Sequence, residues 1–169
     1  MSEFPAGKVL YVDYSTCIGC ETCETVCSFL HDAPRIHMTR TRDGVLVPLY
    51  CRHCEKAHCI RACHRGALAR DRDGAVVLQP MLCRGCETRE CTQSCPYAAM
   101  VLTNKGVAVR KCDMCSERRA IGLGPACAAM CPTGAIHFLD RCELDCIETD
   151  AAKDAEKRVL AHLRPSANK

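Results

Sequence analysis

The chain has 169 residues, a formal charge of +3, three Phe, four Tyr and no Trp, so it holds little bulky material for one large hydrophobic core. Its length suits one compact unit or two small subdomains. No basic stretch is interleaved with aromatic residues, which argues against nucleic-acid binding, and no run of 18 apolar residues is present to span a membrane.

In chain order, Val9 to Asp13 is the first predicted strand, and Cys17, Cys20, Cys23 and Cys27 follow it. Asp43-Gly44 marks a hairpin turn, Val45 to Leu49 a strand, and Cys51, Cys54, Cys59 and Cys63 the next group. Asp73-Gly74 and the strand Ala75 to Leu78 then precede Cys83, Cys86, Cys91 and Cys95. Met100 to Thr103 and Val107 to Arg110 flank the turn Asn104-Lys105-Gly106 and lead to Cys112, Cys115, Cys127 and Cys131, after which Ile136 to Leu139 is the last strand. All are short and rich in Val, Ile or Leu. The segments Cys63-His64-Arg65-Gly66-Ala67-Leu68, Cys95-Pro96-Tyr97-Ala98-Ala99-Met100 and Cys131-Pro132-Thr133-Gly134-Ala135-Ile136 align residue for residue, with small residues at the fourth and fifth places. The repeating unit is strand, cysteine loop, short helix, strand. From Glu143 to Leu163, the residues Leu144, Ile147, Ala151, Ala155, Val159 and Leu163 recur at helical spacing, predicting an amphipathic helix that Pro165 ends before a loose tail.

Sixteen of the 18 cysteines thus form four groups of four. Each group opens with a two-residue gap and closes with a three-residue gap, and only the middle gap varies, at two, four, four and eleven residues. The first group has the CxxCxxCxxxC run that holds a [4Fe-4S] cubane, and the others keep its opening and closing steps. Sixteen thiolates at four per cube give four [4Fe-4S] clusters. Structural zinc also uses CxxC pairs, but zinc ribbons typically set two such pairs against each other, whereas here each pair is followed by a third cysteine and a CxxxC step. A disulfide framework suits smaller secreted domains, and residues 1 to 16 carry no apolar leader core. Sixteen thiolates and four cubes of about +2 each would take the formal charge to about −5, so the apparent basicity is cancelled. Arg61, Arg65, Arg84, Arg89, Arg110, Lys111, Arg118 and Arg119 lie within or beside the groups, either as solvated surface or as charges that raise cluster potentials.

On these motifs, residues 8 to 140 resemble the four-cluster iron–sulfur subunits that accompany molybdenum and tungsten oxidoreductases, hydrogenases and carbon monoxide dehydrogenase. The resemblance implies an α+β fold of two nested bacterial-ferredoxin-like folds with short strands and cluster-binding loops, plus a C-terminal helix. The implied four-cluster domain is 1–140, with an outer half of 8–44 and 104–140 around an inner half of 45–103; 141–169 is the helix and tail. The resemblance also implies crossed ligand sets. One cube would take Cys17, Cys20, Cys23 and Cys131, and its neighbour Cys112, Cys115, Cys127 and Cys27. The inner pair would take Cys51, Cys54, Cys59 and Cys95, and Cys83, Cys86, Cys91 and Cys63.

Several features stand outside this pattern. The gap from Ser116 to Ala126 contains Ile121-Gly122-Leu123-Gly124-Pro125, a protruding loop that either meets a redox partner or shields the fourth cube. His64 replaces the proline that follows the last cysteine of the third and fourth groups, and reads as a turn histidine or as a tuner of potential. Cys142 and Cys146 are one helical turn apart and read as free thiols packed against the body, or as serving an intersubunit metal or redox role. The tail's apolar stripe must be buried on its own body or on a neighbour, and the second alternative would let copies assemble.

No general acid, nucleophile or phosphate loop is recognisable, so the chain is expected to do no bond chemistry alone. The resemblance implies a relay of single electrons between a catalytic subunit of the tungsten or molybdenum aldehyde-oxidoreductase type and an acceptor such as a flavin/NAD subunit or a ferredoxin. Its alternatives are the iron–sulfur subunit of a carbon monoxide dehydrogenase, hydrogenase or formate dehydrogenase complex, and, from another class, a cluster-bearing maturation or redox-sensing protein. Without an apolar or twin-arginine leader, the expected location is the cytoplasm.

Overall fold

The computed structural model describes residues 7–103 and 109–163. The predicted turn Asn104-Lys105-Gly106, the start of the strand at Val107, and the tail with Pro165 lie outside the described residues. In chain order the elements are β1 (Lys8–Val12), α1 (Thr22–Leu30), β2 (His37–Arg40), β3 (Leu46–Leu49), α2 (His58–Ala62), β4 (Leu68–Arg70) and β5 (Val76–Leu78). They continue through α3 (Pro80–Cys83), α4 (Glu90–Gln93), β6 (Val101–Leu102), β7 (Val109–Arg110), α5 (Ser116–Ala120), α6 (Ala126–Ala129) and β8 (Ile136–Asp140). A 3-10 turn (Arg141–Glu143), α7 (Leu144–Ile147) and α8 (Asp150–Leu163) complete the described chain.

The strands pair two by two, all antiparallel. Asp43-Gly44 turns β2 into β3, and Asp73-Gly74 turns β4 into β5; Gly44 and Gly74 both have positive φ, at 84° and 81°. Such turns need a residue free of a Cβ clash. β1 instead pairs with β8, from Lys8 against Asp140 to Val12 against Ile136, and so joins the two ends of the cysteine array. Helix contacts repeat that division, because α1 packs on α6 and α2 packs on α4. α1 carries Cys23 and Cys27 and α6 carries Cys127, whereas α2 carries Cys59 and α4 carries Cys91. The first and last groups therefore share one part of the molecule, and the second and third share another.

Thiols are woven into the buried interior. One apolar cluster holds Leu10, Val12, Ile36, Val47, Met114 and Ile136 together with Cys23, Cys27, Cys51, Cys112 and Cys127. A smaller one holds Ala67, Leu68, Val76 and Val109 with Cys83 and Cys91.

Two strands, β2 and β4, were not expected from the sequence. β2 reads His-Met-Thr-Arg, without Val or Ile, and β4 has three residues; each exists because a hairpin partner completes its ladder. The predicted tail helix is also interrupted. It breaks at Glu148 and Thr149, where the Thr149 hydroxyl accepts the Ala152 N–H at 3.1 Å and starts α8 afresh. The buried face of α8 is Ala152, Ala155 and Val159, and Ala151 is exposed. Ala155 and Val159 pack into the cluster that holds Tyr14 and Val47, while Glu156 pairs with Arg52. At Ala152, Ala155 and Val159 the stripe is seated on its own body. Cys142 and Cys146 are exposed rather than packed against the body.

Candidate metal centres

The four CxxC loops share one backbone device. Their second intervening residue is left-handed in every case: Gly19 at φ 67°, His53 at 47°, Gly85 at 68° and Met114 at 55°. That conformation turns successive amides toward one side of the loop, where they can face a sulfur. Met114 N–H, for example, donates to Cys112 Sγ at 3.3 Å. His53 and Met114 adopt it without being glycine, and both are fully buried. Strain of this kind, about 1–3 kcal/mol each, persists only where packing fixes it. The aligned segments after the second, third and fourth groups hold a second left-handed place, at Gly66, Ala98 and Gly134, with φ of 62°, 50° and 67°. The amide of each donates to the carbonyl of Cys63, Cys95 or Cys131, which is why small residues recur at the fourth position.

Gly19 has a further constraint, since a Cβ there would lie 2.9 Å from both Cβ and the carbonyl oxygen of Leu46. Gly85 is left-handed too, but nothing lies within 4 Å of its missing Cβ. Gly19→Ala is expected to cost about 1–3 kcal/mol, visible as a lower thermal midpoint and loss of iron at the first group, with a milder effect for Gly85→Ala. Equal midpoints for the two variants would refute the steric argument.

Twelve of the sixteen grouped cysteines line three hollows by fours, each four drawn from two groups. One hollow is lined by Cys63, Cys83, Cys86 and Cys91, with Leu68, Leu78 and Val109. A second is lined by Cys27, Cys112, Cys115 and Cys127, with Ile36 and Pro125. The third is lined by Cys51, Cys54, Cys59 and Cys95, with Val76, Tyr97 and Met100. Cys17 lies within electrostatic reach of Cys131 and Cys20, and Cys23 within reach of Cys17 and Cys20, which brings together the remaining four. Among the described residues, no three Cys, His, Asp or Glu side chains converge on a point that would hold a single ion. Thiols spread around a hollow suit a cluster of several atoms better than one tetrahedral zinc.

Burial pushes the thiols of Cys23 and Cys112 up to about 12 and those of Cys59 and Cys91 up to about 11. A ligand must be a thiolate, so bound metal has to supply the compensating positive charge. Local donors work the other way. The Arg35 amide donates to Cys27 Sγ at 3.1 Å and the Ala67 amide to Cys63 Sγ at 3.3 Å. At Cys131, burial is outweighed by the Thr133 hydroxyl and the amides of Ile136, Thr133 and Ala135, and the thiol falls below its ordinary value. The Arg89 amide does most to lower the Cys86 thiol.

Charged and aromatic groups brace the loops. Arg52, between Cys51 and Cys54, lies over the Tyr97 ring at 4.6 Å and the Tyr50 ring at 5.5 Å, and pairs with Glu156. Arg119 ties the Cys112–Cys115 loop to the β4–β5 turn through Asp71 and Asp73. Neither His53 nor these bracing pairs were distinguishable in the sequence, because a buried histidine and a solvated one look alike inside a CxxC loop. His53 Nδ1 accepts the Val76 N–H at 2.9 Å, so its proton sits on Nε2, and burial followed by the Lys111 charge holds the ring well below the ordinary histidine range. His64, in contrast, is exposed.

Half of the long gap is the helix α5 rather than a loop. The Arg118 Nε donates to Gly124 O at 2.9 Å and folds the rest into a tight turn that leaves Ile121 and Leu123 exposed. A wider groove, between the β2–β3 hairpin and α8, is lined by residues such as Tyr14, Arg42, Val45, Arg158 and His162, and no cysteine lines it. Among the described residues no helix is long and apolar enough to cross a membrane.

Comparison with known proteins finds the 4Fe-4S dicluster domain at residues 42–141 and a 4Fe-4S binding domain at residues 10–29. The chain is 34% identical over 160 residues to the thiosulfate reductase electron transfer subunit PhsB of Salmonella typhi, covering 85% of this chain and 82% of that protein. It is 34% identical over 163 residues to the electron transport protein HydN of Escherichia coli strain K12, covering 82% and 91%. It is 33% identical over 147 residues to a component of the anaerobic dimethyl sulfoxide reductase of the same strain, covering 76% and 71%.

Proposed function

The chain belongs to the 4Fe-4S dicluster domain family, and from that premise we propose that it relays electrons through two nested ferredoxin-like folds to and from a catalytic oxidoreductase subunit. It is an iron–sulfur electron-transfer subunit that carries four [4Fe-4S] clusters and is not catalytic alone. The observation that carries the detailed reading is the lining of three hollows by cysteines from two groups each. It supports the ligand sets Cys51, Cys54, Cys59, Cys95; Cys83, Cys86, Cys91, Cys63; and Cys112, Cys115, Cys127, Cys27. By the same logic Cys17, Cys20, Cys23 and Cys131 hold the fourth cube. The pairing of β1 with β8 and of α1 with α6 around the α2–α4 contact supports an outer half, 8–44 with 104–140, enclosing an inner half, 45–103.

When bound, each cluster supplies a site that takes up and releases one electron. The chain's own contribution is to fix positions, keep water out and set potentials. Crossed ligands hold each pair as one body, the buried thiols exclude solvent, and amide donors such as those of Arg35 and Ala67 drain charge from sulfur. The exposed Ile121 and Leu123, next to the hollow lined by Cys115 and Cys127, offer an apolar contact for a partner.

For that partner we favour a molybdenum- or tungsten-type catalytic subunit in the cytoplasm. The tungsten aldehyde oxidoreductase reading comes from the resemblance alone. A reductase or formate dehydrogenase type complex is the second reading, supported by the identity with components of thiosulfate and dimethyl sulfoxide reductases. Anaerobically purified protein is expected to carry about sixteen iron and sixteen acid-labile sulfide per chain, with coupled paramagnetic signals on reduction, and to retain one catalytic subunit per copy. Assay of that complex with an aldehyde against formate, thiosulfate and dimethyl sulfoxide separates the two readings. Stoichiometric zinc with little iron would end both.

A further inference from the structure

We propose that Lys111 is a buried counter-charge shared by the two cysteine quartets that meet beside it, Cys51, Cys54, Cys59, Cys95 and Cys27, Cys112, Cys115, Cys127, and that it raises the reduction potentials of both clusters together. The proposal rests on the ligand sets above and assigns a residue that tunes them.

Eight basic residues lie close to the cysteines in sequence, and the structure separates Lys111 from the rest. Arg61, Arg65 and Arg84 are exposed, Arg89 and Arg118 are half-buried, Arg110 pairs with Asp32, and Arg119 pairs with Asp71 and Asp73. Lys111 is 3% exposed, and among the described residues no carboxylate lies within ion-pair distance of it. Its Nζ donates to the carbonyls of Val76 and Cys112. Those bonds satisfy N–H groups but supply no net negative charge, and an ammonium taken out of water without a counter-charge is strongly disfavoured.

The two carbonyls show where the counter-charge lies. Cys112 belongs to one quartet, and Val76 lines the hollow of the other. The Val76 N–H is itself held by His53, which sits between Cys51 and Cys54. The ammonium is thus fixed between the two CxxC loops, and its field reaches Cys59 in one quartet and Cys112 in the other. Clusters ligated by four thiolates are net negative and supply what no carboxylate does. An added electron makes either site one unit more negative, so a fixed cation beside it favours the reduced form. Both clusters at this junction shift in the same direction, which keeps the step between them level.

The test is a redox titration followed by electron paramagnetic resonance on the holoprotein and on Lys111→Met, Lys111→Gln and Lys111→Arg, each with iron and sulfide analysis. In the Met and Gln variants two of the four midpoint potentials are expected to fall, so that the reduced-to-oxidised ratio at fixed potential drops at least tenfold, about 59 mV for one electron. The other two move much less, and Lys111→Arg restores the wild-type values. Should Lys111→Met shed iron, Lys111→Gln, which keeps two N–H donors for the two carbonyls, decides on the same criterion. Unchanged potentials in an iron-replete Gln variant would overturn the proposal, as would an Arg variant that shifts as far as Met. A wild-type chain with far fewer than about sixteen iron would instead fail the cluster assignment itself.

Discussion

Removing iron and sulfide from the purified protein is expected to unfold it outright. The interior described above has no second source of cohesion of comparable size. Eight of the sixteen grouped cysteines are buried, and they alternate with modest apolar residues such as Val12, Ala67 and Val76. Among the described residues the strands occur only as two-stranded pairs of two to five residues, which are marginal in water on their own. Apart from α8, the longest described helix is α1 at nine residues, below the length at which isolated helices persist. α8 docks through Ala155 and Val159 on a cluster that contains Cys23, Cys27 and Cys112, so it too loses its seat when those sulfurs lose their metal. The loss should equal the whole folding free energy, on the order of 5–15 kcal/mol. Chelation under mild oxidation, followed by circular dichroism and a guanidinium titration, should show no cooperative transition until iron and sulfide are restored. A stripped chain that keeps its far-UV spectrum and a sharp transition would contradict the metal-built core.

How much of this was legible in the sequence varies with the physics behind each feature. Cysteine spacing is a chemical constraint, and it marked all four loops before any fold was known. The aligned segments beginning at Cys63, Cys95 and Cys131 were legible as a repeat, but the reason for the small fourth residue is a backbone angle that composition does not display. Ala98 at φ 50° shows that the position imposes the conformation even without glycine. His53 and Met114 were hidden for the same reason: their left-handed backbone is enforced by burial between loops far apart in sequence. The face of α8 was legible at Ala155 and Val159 but not at Ala151, because Ala151 and Ala152 are equivalent to any periodicity argument, and only the restart at Thr149 sets which of them turns inward. Lys111 stood among eight similar charges, and its distinction is the absence of solvent, which depends on tertiary packing alone.

Cys27→Ser is expected to damage the cluster of the fourth cysteine group and to spare that of its own. Cys23 and Cys27 lie one turn apart on α1, so their sulfurs leave the same face of the helix about 6 Å apart along its axis. The two sulfurs have different neighbours. Cys27 lines the one it shares with Cys112, Cys115 and Cys127, whereas Cys23 lies within reach of Cys17 and Cys20. The Arg35 amide at 3.1 Å then fixes the Cys27 sulfur in that orientation. A serine oxygen is a poorer ligand for a soft iron–sulfur site, so the substituted cluster should lose iron or change its reduced-state signal. The comparison that decides the point uses two further variants. Cys115→Ser should give the same altered signal as Cys27→Ser, and Cys20→Ser a different one. A Cys27→Ser spectrum that matches Cys20→Ser would mean that each group closes on its own cube. The rigid coupling of the chain's two ends would then rest on β1 and β8 alone.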